Sequence, residues 1–228
     1  LGDLDGDGDL DAWVANYSDS SGFGPANRVW VTQGGAQGGI LGTSAAGNQA
    51  LAHRSSAAVA LGDLDGDGDL DAWVAYGNHR ALRAWPNRGG AQLGTPGTYA
   101  DSGQALGNSY SLGVTLGDLD GDGDLDAWVA NSGQANRVWI NQGGDQGGTP
   151  GTYADSNQAL GSSNSYDVAL GDVDGDGDLD AWVANISNQP NRVWINQGGG
   201  TYADSAQALG NSSSYGVALG DLDGDGDP

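Results

Sequence analysis

Asp3-Leu4-Asp5-Gly6-Asp7-Gly8-Asp9-Leu10-Asp11 packs five carboxylates into nine residues. Charges that close repel unless a cation lies among them, and hard oxygen donors on a short chain segment are metal-binding chemistry. The run returns as Asp63, Asp65, Asp67, Asp69 and Asp71, then as Asp118, Asp120, Asp122, Asp124 and Asp126. With one Val for Leu it returns again as Asp172, Asp174, Asp176, Asp178 and Asp180, and a last copy offers Asp221, Asp223, Asp225 and Asp227 before Pro228. Of the thirty acidic residues in the chain, 24 lie in these five copies, so the acidity is mainly that of the loops.

Calcium takes six to eight oxygen ligands at about 2.3–2.6 Å, from a loop tight enough to wrap a small ion. Aspartates at positions one, three, five and nine supply carboxylates, and glycines at four and six allow turns closed to residues with a Cβ. Position seven (Asp9, Asp69, Asp124, Asp178) is read as offering its carbonyl while its carboxylate faces water. An EF-hand needs a Glu at position twelve, where this chain has Val14, Val74, Val129 and Val183. The nine-residue calcium roll is excluded because nothing repeats in tandem at that period. Magnesium stays open, although it insists on octahedral geometry and retained waters.

The elements that carry these loops follow from composition and spacing. The chain has 228 residues, 43 of them Gly, no Glu or Lys and no Cys, with a net charge of −23. Missing Glu and Lys removes strong helix formers, while Val, Trp, Tyr and Thr favour strands, so almost no helix is expected. Such acidity argues against nucleic acid or an anionic membrane as partner. No stretch approaches the roughly 20 apolar residues of a spanning helix. First aspartates follow one another at 60, 55, 54 and 49 residues, the period of one supersecondary unit.

Each unit reads as four short strands. In the fourth they are Tyr166–Leu170 (or its successor Tyr215–Leu219), Leu179–Asn185, Asn191–Asn196 and Thr201–Leu209. The second strand, Leu-Asp-Ala-Trp-Val-Ala, carries apolar side chains on both faces, which predicts a strand buried on both sides. Sheets covered on both sides by their own copies are the blades of a β-propeller. The expected fold is all-β, one propeller segment over 1–228, with units at about 1–56, 57–111, 112–165 and 166–214 and a truncated unit at 215–228. About four units with both ends inside a motif favour part of a larger ring. The Trp-to-Trp spacing of 17 in the first unit, against 11 or 12 elsewhere, puts an insertion at Tyr17–Pro25.

The strings Asp-Leu-Asp-Gly-Asp-Gly-Asp-Leu-Asp-Ala-Trp-Val-Ala-Asn, Asn-Arg-Val-Trp-Ile-Asn-Gln-Gly-Gly and Gly-Thr-Tyr-Ala-Asp-Ser together resemble the FG-GAP or VCBS repeat of bacterial surface and secreted proteins, which is related to the integrin alpha-subunit propeller. The resemblance covers essentially the whole chain. It implies a calcium loop between the first and second strands of each blade, with the side chains of positions one, three, five and nine and the carbonyl of seven as ligands. One ion per repeat is then expected, in four complete sites and a fifth truncated one. The first unit departs from the pattern with Ser44, Ala46 and Ala57 where other units carry Tyr, Asp and larger apolar residues.

Other residues divide by periodicity. Arg28, Arg83, Arg137 and Arg192 recur once per unit, which reads as pairing with Asp or stacking on Trp to stitch blades rather than as an anion ring. The Trp residues, repeated in register, read as core between blades rather than as sugar platforms. His53-Arg54 and His79-Arg80 break the period and fall on the rim opposite the acidic loops, together with the Tyr17–Pro25 insertion. They suggest a positive patch for a glycan or protein ligand. No nucleophile stands with a base, so a catalytic role is not expected. The expected function is an extracellular, secreted or cell-surface calcium-binding module for adhesion, protein interaction or scaffolding, able to assemble with further copies. The alternatives are a carbohydrate-binding propeller, or the accessory part of a secreted polysaccharide- or lipid-degrading enzyme.

Overall fold

The computed structural model describes residues 1–17, 25–33, 43–47, 49–51, 55–89, 97–222 and 224. Among these residues every regular element but one is a strand, the exception being a 3-10 turn at Gly144–Gln146. The first sheet holds β1 (Ala12–Val14), β2 (Arg28–Gln33) and β3 (Thr43–Ala46), and the second holds β4 (Ser56–Gly62), β5 (Asp71–Tyr76) and β6 (Arg83–Trp85). The third runs β7 (Ser111–Gly117), β8 (Asp126–Asn131), β9 (Arg137–Asn141) and β10 (Tyr153–Asp155). In the fourth, β11 (Ser165–Gly171), β12 (Asp180–Asn185), β13 (Arg192–Asn196) and β14 (Tyr202–Asp204) follow the same order. All pairings are antiparallel between sequence neighbours. The second sheet has its fourth member as well, since Arg88 N–H donates to Thr98 O at 2.7 Å and Ala100 N–H to Pro86 O at 3.0 Å. These are the blades of an all-β propeller, with β4, β7 and β11 in contact along the inner edge of successive sheets.

Both faces of the second strand are buried, as its composition predicts: every residue of β5 and of β8 is buried. What buries them is the preceding blade on one face and the next blade on the other. One apolar cluster joins Trp73 and Ala75 of the second sheet to Val129, Trp139 and Tyr153 of the third, and another joins Trp128 and Val138 to Val183, Trp194 and Tyr202. Trp73 meets Tyr153 edge to face at 5.6 Å between ring centroids, and Trp13 meets Tyr99 likewise at 4.6 Å. Such rings between blades are the adhesive of the fold; truncating one to Ala would cost about 3–5 kcal/mol. In the first blade Val14 and Trp30 stay 38% and 39% exposed, so among the described residues this face of the sheet has less cover than its counterparts.

The outer strands are shorter than the sequence suggests. The fourth strand expected at Thr201–Leu209 stops at Asp204, because the Asp204 carboxylate accepts the Ala206 N–H at 2.8 Å and turns the chain through a left-handed residue, Ala206 at φ 62°. Asp155 does the same with Asn157. The chain then returns to the sheet for one bridge, Asn191 to Leu209. Tyr215–Leu219 forms no strand.

Candidate metal centre

The acidic loops at Asp63, Asp118 and Asp172 connect the first strand of a blade to its second, that at Asp3 leads into β1, and the aspartates of a loop divide the work. The position-one carboxylate turns back onto the loop. Asp63 Oδ1 accepts the N–H groups of Gly66 and Asp67 at 2.8 and 3.1 Å, and its Oδ2 accepts that of Gly68 at 3.0 Å. Asp3, Asp118 and Asp172 repeat this, and Asp221 accepts the Gly224 N–H at 2.6 Å. Bringing three successive N–H groups onto one carboxylate needs left-handed backbone at positions four and six, where Gly66 and Gly68 have φ of 77° and 92°.

Position nine is the anchor. Asp126 is buried, with Oδ2 accepting the Leu119 N–H at 2.9 Å and Oδ1 the Asn141 N–H at 2.7 Å, which ties the loop to the third strand. Asp11, Asp71 and Asp180 are held alike. Burial, which outweighs the two N–H donors, pushes the Asp71 and Asp126 carboxyls up to about 7, with neighbouring aspartates acting in the same direction.

Carboxylate oxygens converge in every complete loop. Those of Asp3, Asp5 and Asp11 lie within 4.8 Å of one another, as do those of Asp63, Asp65 and Asp71, of Asp118, Asp120 and Asp122, and of Asp172, Asp174 and Asp180. In three loops the aspartates of positions five and seven add oxygens that are buried yet accept no hydrogen bond: Oδ2 of Asp7 and Asp9, of Asp67 and Asp69, and of Asp122 and Asp124. Asp120 Oδ1 is another. Desolvation and adjacent carboxylates raise Asp69, Asp120 and Asp124 above the ordinary range. Buried anionic oxygens left without donors fit a cation as partner, and the all-oxygen set suits a hard one. Position seven corrects the expectation made for it: one oxygen of Asp9, Asp69 and Asp124 is sealed within the loop instead of facing water.

Sequence reasoning missed the residues that close the site from the third strand and the next blade. The Gln-Gly-Gly turn after β9 lies against the third loop, where a Cβ on Gly143 would collide with Asp124 Oδ2 and one on Gly144 with Asp122 Oδ2. Gln146 donates its side-chain amide to Asp120 Oδ2. Asn141 reaches back across the blade junction and donates to Leu64 O, within the preceding loop, at 2.9 Å; Asn87 and Asn196 do so to Leu4 O and Leu119 O. The recurrence of Asn-Gln-Gly in sequence was the available signal, but the partner 77 residues away was not.

Arg83, Arg137 and Arg192 pair with Asp101, Asp155 and Asp204 at 3.4, 3.8 and 3.9 Å. The partner is an Asp, as expected, but of the same blade, so the arginine brings no direct stitch between blades. It also donates to the carbonyl of Gln104, Gln158 or Gln207, and the first two of these glutamines clasp the next blade. Gln158 Nε2 donates to Gly200 O at 2.7 Å and its Oε1 accepts the Tyr202 N–H at 2.8 Å.

On the opposite rim, His79 stands in a turn at φ 53° with its ring 5.6 Å from that of Tyr110, and Arg80 follows it. His53 and Arg54 lie outside the described residues, as do 18–24 of the insertion and Asp223, Asp225 and Asp227 of the last loop. Tyr17, at the edge of the insertion, shares a hydrogen bond of 2.8 Å with the Tyr110 hydroxyl.

No curated protein matches the chain. The FG-GAP-like repeat matches it four times, over residues 3–74, 63–129, 118–183 and 179–228. The first three matches begin on a position-one aspartate and end in the second strand of the following blade, so each spans one junction of the kind described above. Those four matches run together from the first acidic loop to the last residue, and the chain belongs to the FG-GAP-like repeat family.

Proposed function

We propose that the chain is a calcium-binding propeller module that works outside cells, in adhesion, protein interaction or scaffolding, without a reaction of its own. The observation that carries this reading is the set of buried, donor-less carboxylate oxygens of Asp7, Asp9, Asp67, Asp69, Asp120, Asp122 and Asp124, which stand beside converging aspartates in the first three loops. The five aspartates of each complete loop would hold one ion. Bound calcium supplies positive charge to a site where carboxylates otherwise repel, and four divalent ions would bring the net charge from −23 to about −15.

The extracellular setting is tied to affinity: on this reading the loops belong to the class of extracellular modules, with dissociation constants of about 10⁻⁴–10⁻³ M, which extracellular but not cytosolic calcium fills. At ten times that constant each site adds about 1.4 kcal/mol of stability, because calcium binds the folded loop and not the unfolded chain. Thermal melts in millimolar calcium and in chelator test the metal: a large upward shift with calcium is expected, and coincident curves would remove the reading. Titration calorimetry tests the setting, since sub-micromolar sites would contradict it. A partner engages the rim opposite the loops, where His79 and Arg80 stand.

A further inference from the structure

Tyr17, Tyr110 and Tyr166 wall a cavity of about 580 Å³ together with Leu112, Ser132 and Ile186. It opens at the ends of the innermost strands away from the acidic loops. Three repeat-equivalent places build it. Strand pairing is irregular between Ser56 and Ala58, between Ser111 and Gly113, and between Ser165 and Asp167, and the bulged residues are Ala57, Leu112 and Tyr166. All three line the cavity. A bulge re-aims one side chain out of the sheet register, a device found beside functional sites. The exit of the second strand contributes Tyr17, Ser132 and Ile186, and the approach to the first strand contributes Tyr110.

At these positions the units differ, although the serine before each bulge, Ser56, Ser111 or Ser165, is the same. The bulged residue is Ala, Leu or Tyr after an unchanging Ser, and the exit residue is Tyr17, Gly77, Ser132 or Ile186. Gly77 is the small member for a reason visible in space: a Cβ there would stand 3.1 Å from the Tyr17 ring. Its absence leaves room for the Tyr17–Tyr110 hydroxyl pair. The same strands fold in each unit whichever residue stands there, so the variation leaves the scaffold intact and gives the cavity an asymmetric wall of the kind one asymmetric ligand needs.

We propose that the cavity binds a neutral saccharide. Tyrosine faces suit the C–H face of a pyranose ring, and phenol hydroxyls at the same wall are of the donor and acceptor type that sugar hydroxyls pair with. None of the described lining residues is charged, and an anionic ligand would approach a body of net charge −23, with His79 beside Tyr110 the near titratable group outside the wall. The proposal deepens the binding-module reading by naming its ligand, and it does not depend on the metal.

The test is a printed array of neutral hexose, N-acetylhexosamine and uronic-acid oligosaccharides, followed by calorimetry with the best-retained free oligosaccharide. The whole chain is used, in calcium and in chelator, with melting curves on each sample. Neutral oligosaccharides should be retained, and Tyr166→Ala and the double variant Tyr17→Phe/Tyr110→Phe should each weaken binding about tenfold with melting curves unchanged. The double variant keeps both rings, so it tests the hydroxyls without opening the wall. Retention of uronic-acid glycans alone, or binding indifferent to both variants, would overturn the proposal. So would a folded, calcium-responsive chain that retains nothing, which would leave the metal reading standing. Sugar binding by a chain whose melting ignores chelator would do the reverse.

Discussion

The side-chain amide of Asn141 donates to the carbonyl of Leu64 at 2.9 Å, although 77 residues separate them. The backbone N–H of the same Asn141 is held by Asp126 in its own blade, and its Oδ1 accepts the Gly151 N–H at 2.9 Å. One buried residue thus fastens an acidic loop, its own third strand and the turn before its own fourth strand. Replacing Asn141 with Ala leaves buried backbone groups unmatched and is expected to cost about 2–3 kcal/mol in urea denaturation. It should also loosen calcium at the preceding loop, Asp63 to Asp71, more than at the others; equal affinity at all sites would disprove the coupling.

Asp124→Asn should act with opposite signs in chelator and in calcium. Asp124 Oδ2 is buried without a donor, and its carboxyl is raised by burial and by Asp122, so neutralising it relieves repulsion when metal is removed. A melting temperature that rises in chelator and falls in calcium, relative to the parent chain, is the expected pair of results. A fall in both conditions would show that the side chain is structural instead.

The pH dependence in chelator should run against that of an ordinary acidic protein. Asp71 and Asp126 titrate near 7 in the folded state and near 4 when unfolded, so between these values the folded chain holds more protons. Stability therefore falls as pH rises from about 4 to about 7. Saturating calcium needs the carboxylates ionised, so its stabilising effect should grow over the same interval. Melting temperatures at pH 5 and 7.5, with and without calcium, check both signs; a rise with pH in chelator would contradict them.

Gln158→Ala should expose one edge without unfolding the blade. The amide covers Gly200 O, in the turn before the fourth strand of the next blade, and the Tyr202 N–H at the start of that strand. Losing it is expected to cost about 1–2 kcal/mol, with faster amide exchange concentrated at Tyr202. Exchange that speeds uniformly across the chain would mean that the clasp is not local.

What was legible in the sequence is what a period can express. Apolar residues on both faces of Asp-Ala-Trp-Val-Ala specified a strand covered twice, and the structure buries all of β5 and β8. The acidic loops were equally plain, because Asp and Gly alternate for a stereochemical reason that shows in the φ values of Gly66 and Gly68. Contacts between units were not legible. Arg137 looked like a stitch between blades, yet its Asp155 lies in its own sheet, and the stitch belongs to the neutral Gln158 and Asn141. Neutral amides carry no charge pattern that announces a partner. The early stop of the fourth strand was hidden for another reason: Asp204 occurs in a run that otherwise favours a strand, and only its side-chain hold on Ala206 bends the chain.

The clasp has a consequence for how such chains can change length. Gln49, Gln104 and Gln158 each engage the Tyr N–H of the following sheet, and Asn87, Asn141 and Asn196 each reach the loop of the preceding one. Because every joint is made from the same parts, the far side of any unit is a socket for the near side of any other. Tandem duplication, excision or shuffling of a unit then creates no foreign joint. The residues at the tyrosine-lined end are free to diverge afterwards, copy by copy, without disturbing the hinges of the array.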